Sequence, residues 1–267
     1  MILSMIRILV YFFVLFAPSF FVFSDEIDLY NYEKSIYSRN GEDGILAKIF
    51  QTIDITSRFC VELGACDGVT GSNTYLLRLQ GWNSLLIDRA YSIPEYNLRK
   101  EFITAENMNV LLDKYLVPKN LDLLSMDIVY NTFYVWKAMD EKYKPAVVVI
   151  AYNAMHLPTE DKVVKYRPYY CGDGSNYYGA SILAFYHLGR SKGYSLIYAD
   201  QSGGNLFFIR DDILLARDLK FKNINDVEKL YQNVIPKDPL DGGERSNSLP
   251  IEYVSSTEIL ESMEMEP

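Results

Sequence analysis

Residues Arg58–Arg89 read RFCVELGACDGVTGSNTYLLRLQGWNSLLIDR, and the fold follows from how this stretch is punctuated. Phe59–Leu63 is a short apolar strand, and the tight turn Gly64-Ala65-Cys66-Asp67-Gly68 follows it. Ser72, Asn73 and Thr74 supply N-cap chemistry for a helix running to about Gln80. Gly81 stops that helix, and a second apolar strand, Ser84–Ile87, ends in Asp88. Strand, glycine-punctuated turn, helix and strand in this order open a doubly wound α/β sheet.

Such a unit has the physics of a nucleoside site. Small residues let the backbone approach a ligand, and a helix start presents free N–H groups. An acid at the end of the second strand can accept hydrogen bonds from two ribose hydroxyls, and Asp88 stands there at the fingerprint spacing. The turn is not GxGxxG. Asp67 would repel a pyrophosphate, which favours a ligand with a positive or neutral centre over a dinucleotide. S-adenosyl-L-methionine, with its sulfonium and ammonium, has that character. The competing reading is an ordinary βαβ unit with a glycine turn and no ligand.

The segment VELGACDGVTGSNTYLLRLQGW resembles the cofactor loop of the FkbM-like methyltransferases, a branch of the Rossmann-like S-adenosylmethionine enzymes. Six further stretches join it in the family's order: YSRNGEDGILAKIF at Tyr37–Phe50, FITAENMNVLL at Phe102–Leu112, LDLLSMDI at Leu121–Ile128, VVVIAYN at Val147–Asn153, YYGASILAFYHLGRSKGYSLIYAD at Tyr177–Asp200 and GNLFFIR at Gly204–Arg210. The resemblance spans roughly Tyr37 to Arg210. It implies a class I methyltransferase-like fold: a Rossmann-like, doubly wound, mostly parallel sheet with an antiparallel edge strand. It also implies S-adenosyl-L-methionine as cofactor, held by Glu62, Gly64, Ala65, Asp67, Gly68, Asn73, Asp88, Arg89 and Asn107. In the family's motif Asn107 meets the adenine edge; as a plain residue it reads equally well as an N-cap.

Composition sets the frame. A chain of 267 residues with 49% hydrophobic residues suits one α/β domain with appendages. Net charge is −9, and the segment from Asp211 onward, with 13 acidic and 6 basic residues, carries most of it. Neither part is a basic nucleic-acid surface. Cys60, Cys66 and Cys171 are not a disulfide framework, and the two histidines, His156 and His187, suggest no metal site.

Met1–Ser24 has one cation, Arg7, before an apolar run broken by Pro18, and reads as a signal peptide or membrane anchor. The expected location is therefore secreted or membrane-anchored, with a cytoplasm-facing anchor as the alternative. Residues 25–38 are a polar connector, residues 39–210 the Rossmann-like domain, and residues 211–267 an acidic, partly disordered extension. Asn40 caps an expected helix whose first turn carries Glu42 and Asp43. Glu101–Thr104 reads as a weak third strand. Leu157–Tyr178 is a long polar and aromatic insertion after a strand, the place of a substrate lid. Tyr194–Ala199 and Leu206–Ile209 read as a terminal hairpin.

Ligands of open parallel sheets bind beyond the carboxyl ends of strands. Asp67, Asp88, Asp127 and Tyr152-Asn153 all fall there. Methyl transfer needs positioning above all, and a general base when the acceptor is a hydroxyl. Asp127, Asn153 and His156 are the candidate catalytic residues. The family acts on hydroxyl oxygens, which implies a small-molecule or glycan acceptor. Its pattern S-I-D-I-D-G-N-D is here Ser125-Met126-Asp127-Ile128-Val129-Tyr130-Asn131-Thr132, and its glutamate before Tyr-Asn is Ala151. Two readings stand: an O-methyltransferase, or a catalytically degenerate fold serving as a binding module.

Overall fold

The computed structural model describes residues 26–233 and 251–262. Its strands are β1 (Phe59–Leu63), β2 (Asn83–Asp88), β3 (Leu98–Lys100), β4 (Leu123–Met126), β5 (Val147–Ala151), β6 (Val163–Val164), β7 (Tyr194–Ala199), β8 (Asn205–Arg210) and β9 (Tyr253–Val254). Its α-helices are α1 (Glu42–Thr52), α2 (Tyr75–Leu79), α3 (Met108–Lys114), α4 (Thr132–Ala138), α5 (Ile182–Ser191), α6 (Asp211–Arg217), α7 (Val227–Leu230) and α8 (Ser256–Glu261).

Seven strands form one sheet in the order β3-β2-β1-β4-β5-β8-β7. The first five pair in parallel, and β8 runs antiparallel to both β5 and β7. This is the expected Rossmann-like α/β sheet, with its reversed hairpin at one edge. β4 and β5 read LLSM and VVVIA because helices cover both their faces; every residue but Ala151 is buried. Ile45, Leu46, Ile49 and Phe50 form one stripe of α1 and join the main core. Strand order reverses between β1 and β4, which opens a crevice beyond their carboxyl ends.

Several expectations change. The third strand is Leu98–Lys100 rather than Glu101–Thr104, because Leu98, Arg99 and Lys100 are the residues in register with β2. Asn40 does not cap α1; the N-cap is Gly41, at φ +90°. Glu42 and Asp43 are buried instead of facing solvent, and the Asp43 carboxylate accepts the N–H groups of Ile36, Tyr37 and Ser38. They tie the connector down rather than merely complementing a helix dipole.

The acidic extension is largely folded where it is described. α6 follows β8 directly, and residues 251–262 return to the body: β9 pairs antiparallel with β6, and α8 lies against α5. The expected signal segment at Met1–Ser24 lies outside the described residues, as do the linker after residue 233 and the last five residues. Among the described residues, no helix is long and apolar enough to cross a membrane.

Candidate functional site

The crevice is lined from β1 by Gly64 and Cys66, from β2 by Ile87, Asp88 and Arg89, and from the segment after β3 by Glu101, Phe102 and Ile103. Asp127, Ile128, Val129 and Asn131 line it from β4, and Tyr170 and Cys171 cover it from the insertion. Four of the expected site residues, Gly64, Asp88, Arg89 and Asp127, are thus brought together. The crevice holds about 170 Å³, below the roughly 300–1,000 Å³ of small-molecule pockets.

Gly64 explains how the ends of β1 and β4 meet. Its φ is +83°, and a Cβ there would sit 2.0 Å from the carbonyl oxygen of Asp127. The turn beyond it uses its own amides. Gly64 and Ala65 donate to the carbonyl of Ile87, Gly68 donates to that of Ala65, and Val69 and Thr70 donate to the Asp67 carboxylate. Cys66 donates its N–H to Asp88 Oδ2 at 3.0 Å. An anion such as a pyrophosphate finds no cradle of free amides here.

Asp88 is buried, and it does double duty as turn clamp and crevice wall. Oδ1 accepts from the N–H groups of Ala90 (2.7 Å) and Tyr91 (3.3 Å). An ionised carboxylate has about four acceptor sites, so roughly one remains after three amides. Asp88 can serve one ribose hydroxyl, rather than the two expected from sequence.

The Asp127 N–H donates to the Leu63 carbonyl, while its carboxylate accepts no hydrogen bond among the described residues. Protein crowds its carboxyl from several sides while its surface still reaches solvent at the crevice mouth. Burial pushes its pKa up; the nearby Arg39 guanidinium opposes this and Glu42 adds to it. The lining carries three carboxylates, Asp88, Glu101 and Asp127, against one guanidinium, Arg89. Glu101 is engaged by Lys114 and the Tyr115 hydroxyl.

The other expected site residues lie elsewhere. Glu62 is buried under the turn, where its carboxylate accepts from Ser72 Oγ (2.6 Å), Thr74 Oγ1 (2.6 Å) and the Asn73 N–H (2.9 Å). This also takes the Ser-Asn-Thr triplet away from capping, and α2 has no side-chain cap. Desolvation pushes the Glu62 pKa up, and its three donors oppose that. The Asn73 amide donates to Ser125 Oγ, tying the turn before α2 to β4. Asp67 closes its own turn with Val69 and Thr70 and points away from the crevice lining; those hydrogen bonds hold its pKa below the ordinary carboxylate value. Ala65 packs with Leu86 and Leu98. Gly68 turns at φ +75° against Leu86. Asn107 spends its amide on Thr104 N–H and the Phe102 carbonyl.

Neither Asn153 nor His156 reaches the crevice. The Asn153 amide donates to the carbonyls of Asn176 and Tyr178, fixing the base of the insertion. His156 is buried edge-on to the Tyr253 ring at 4.9 Å, with Nδ1 3.9 Å from Glu160. Desolvation lowers its pKa, with Lys162 acting the same way and Glu160 against it.

Sequence reasoning missed Phe102 and Ile103, whose signal is their place immediately beyond β3. It also missed how the residues beyond β4 are used. Val129 has φ +66°, a region where Asp and Asn are enriched and a β-branched residue is an outlier. The Tyr130 hydroxyl donates to the Lys165 carbonyl, the Asn131 amide to the Arg167 carbonyl (2.7 Å) and the Tyr134 hydroxyl to the Val164 carbonyl. The end of β4 holds the insertion in place as a lid.

The sequence matches no protein-family model, and a search of curated proteins returns no match.

Proposed function

We propose that the crevice binds a nucleoside of the S-adenosyl-L-methionine class, and that the protein is a methyltransferase directed at a hydroxyl of a small molecule or glycan. The observation that carries this reading is the convergence of Gly64, Asp88 and Asp127 on one crevice at the point where strand order reverses. Bound S-adenosyl-L-methionine supplies a methyl group already activated on a sulfonium. The residues present suit it: Asp88 retains an acceptor site for a ribose hydroxyl, Phe102 and Ile103 give an apolar wall, and three carboxylates against one guanidinium favour a cation. The spent amides of the turn speak against a pyrophosphate-bearing ligand. Asp127 is the lining carboxylate whose side chain accepts no hydrogen bond among the described residues, which leaves it the capacity to take an acceptor's proton.

A second reading, a binding module without turnover, is favoured by one specific observation. Val129, Thr132 and Ala151 stand where the resembling family has its acids, and Tyr130, at the position of that family's glycine, is committed with Asn131 to the insertion.

Calorimetry of the full chain with S-adenosylhomocysteine tests the core of both readings. Binding with a micromolar to millimolar dissociation constant is expected. No heat at millimolar ligand sinks the S-adenosylmethionine reading. Binding without methyl transfer to a panel of hydroxyl acceptors selects the binding module.

A further inference from the structure

We propose that residues 251–262 are a latch in cis: docking of this segment holds the lid down on the crevice, and its release opens it. The crevice as it stands is smaller than a nucleoside requires, and Tyr170 and Cys171 of the lid close one side of it. Entry of any ligand of that size moves the lid, so what restrains the lid sets access.

The restraint comes from two sides. Beneath the lid, Tyr130, Asn131 and Tyr134 hold the carbonyls of Lys165, Arg167 and Val164. Outside it lies the returning segment. β9 pairs with β6, placing Val254 opposite Val163 and Tyr253 opposite Val164. Lys165 donates its N–H to the Glu252 carbonyl, and its ammonium lies 2.9 Å from the Glu252 carboxylate. The Tyr177 hydroxyl donates to the carbonyl of Glu252 and accepts from its N–H. Beyond β9, the Asp161 carboxylate accepts from Ser255 Oγ and the Ser256 N–H, and His187 Nδ1 is 2.9 Å from the buried Ser256 Oγ. The segment is anchored past the lid as well as on it.

A ladder of rings links this latch to the crevice. Tyr253 meets Tyr177 at 5.2 Å, Tyr177 meets Tyr130 at 5.8 Å, and Tyr130 meets Tyr170 at 4.6 Å, each edge to face. Tyr170 is itself a crevice wall. Withdrawing Tyr253 removes the outer support of the stack that seats Tyr170. A two-strand, two-residue pairing is also weak enough to open while the seven-stranded sheet stays folded. The inference goes beyond the identity of the ligand and shares with the proposed function only the premise that the crevice is the site.

The test uses the full chain. Tyr253→Ala in a Cys66→Ser background is expected to raise the rate of thiol labelling at Cys171 at least tenfold, with amide exchange in β1 and β4 unchanged. Labelling within twofold of the Cys66→Ser background that retains Tyr253 overturns the latch. Because Tyr253→Ala could disturb folding, a second variant closes the latch instead. Val163→Cys with Val254→Cys joins residues directly opposite in an antiparallel pair, a spacing that accepts a disulfide. Oxidation is expected to slow amide exchange across residues 165–178 and to slow S-adenosylhomocysteine association at least tenfold, with both restored by reduction. Equal exchange in the two redox states overturns the proposal. Failure of S-adenosylhomocysteine to bind overturns the crevice reading alone, because labelling and exchange report the latch without a ligand.

Discussion

At the ends of β1 and β2, backbone amides and carboxylates satisfy one another. Asp88 gathers Cys66, Ala90 and Tyr91, Glu62 gathers the Ser72–Thr74 triplet, and Asp67 gathers Val69 and Thr70. At the end of β4, side chains reach outward: Tyr130 and Asn131 grasp the lid, and the Asp127 carboxylate accepts no hydrogen bond among the described residues. The first end is a turn whose side-chain hydrogen bonds close mostly on itself, with Gly64 and Asn73 as its points of contact with β4. The second takes its shape from a segment 35 residues away. The two ends of the crevice are thus stabilised by different contacts.

The largest expected effect breaks both ends at once. Gly64→Ala drives a Cβ to 2.0 Å from the Asp127 carbonyl oxygen at a φ that alanine resists, and backbone on both sides has nowhere to go. A loss of about 3–5 kcal/mol is expected, measured as the shift in urea midpoint. A loss under about 1 kcal/mol would show that the two strand ends are not wedged together.

The next effect separates the two aspartates of the first end. Asp88→Ala should weaken S-adenosylhomocysteine binding about tenfold, matching one charge-assisted hydrogen bond of about 1.5 kcal/mol. Asp67→Asn should leave affinity within about twofold, since its carboxylate turns back on Val69 and Thr70. Calorimetry on both variants reads this directly, and an equal loss would move Asp67 into the site.

The smallest effect sharpens the contrast at β4. Val129 is half-exposed and left-handed, so Val129→Asp removes little packing and suits the backbone better. Its stability should stay within about 1 kcal/mol of the parent, read again from the urea midpoint. A loss beyond about 3 kcal/mol would mean that the Val129 side chain, rather than Tyr130 and Asn131, secures the lid.

The pattern of what was legible follows the range of the forces involved. The sheet was readable because β1, β4 and β5 carry their burial in consecutive apolar residues. Of the residues placed at strand ends, Asp88 and Asp127 do meet at one crevice because those ends converge by topology, whereas Asp67 and Asn153 turn to neighbouring backbone. Glu62, Asn73 and Asn107 misled because a polar side chain near a turn looks the same whether it faces a ligand or a neighbouring amide. His156 and Asn153 misled for a longer-range reason. Both lie under structure that comes from far along the chain, Tyr253 for the first and Asn176 and Tyr178 for the second. Nothing local marks residues 251–262 as structured, since their partners are Asp161, Lys165, Tyr177 and His187.

The pairing of β9 with β6 also fixes an order of events in time. Lys165 and Glu252 are 87 residues apart. At ribosomal rates of about 5–20 residues per second, the lid strand is made roughly 4–17 s before the strand that fastens it. During that interval the nascent crevice has its walls and its lid but no fastening, and a ligand present in the compartment of synthesis meets it open. Release of stalled nascent chains ending near residue 250, compared with full-length chains for retained S-adenosylhomocysteine, would show whether the protein is filled while it is being made.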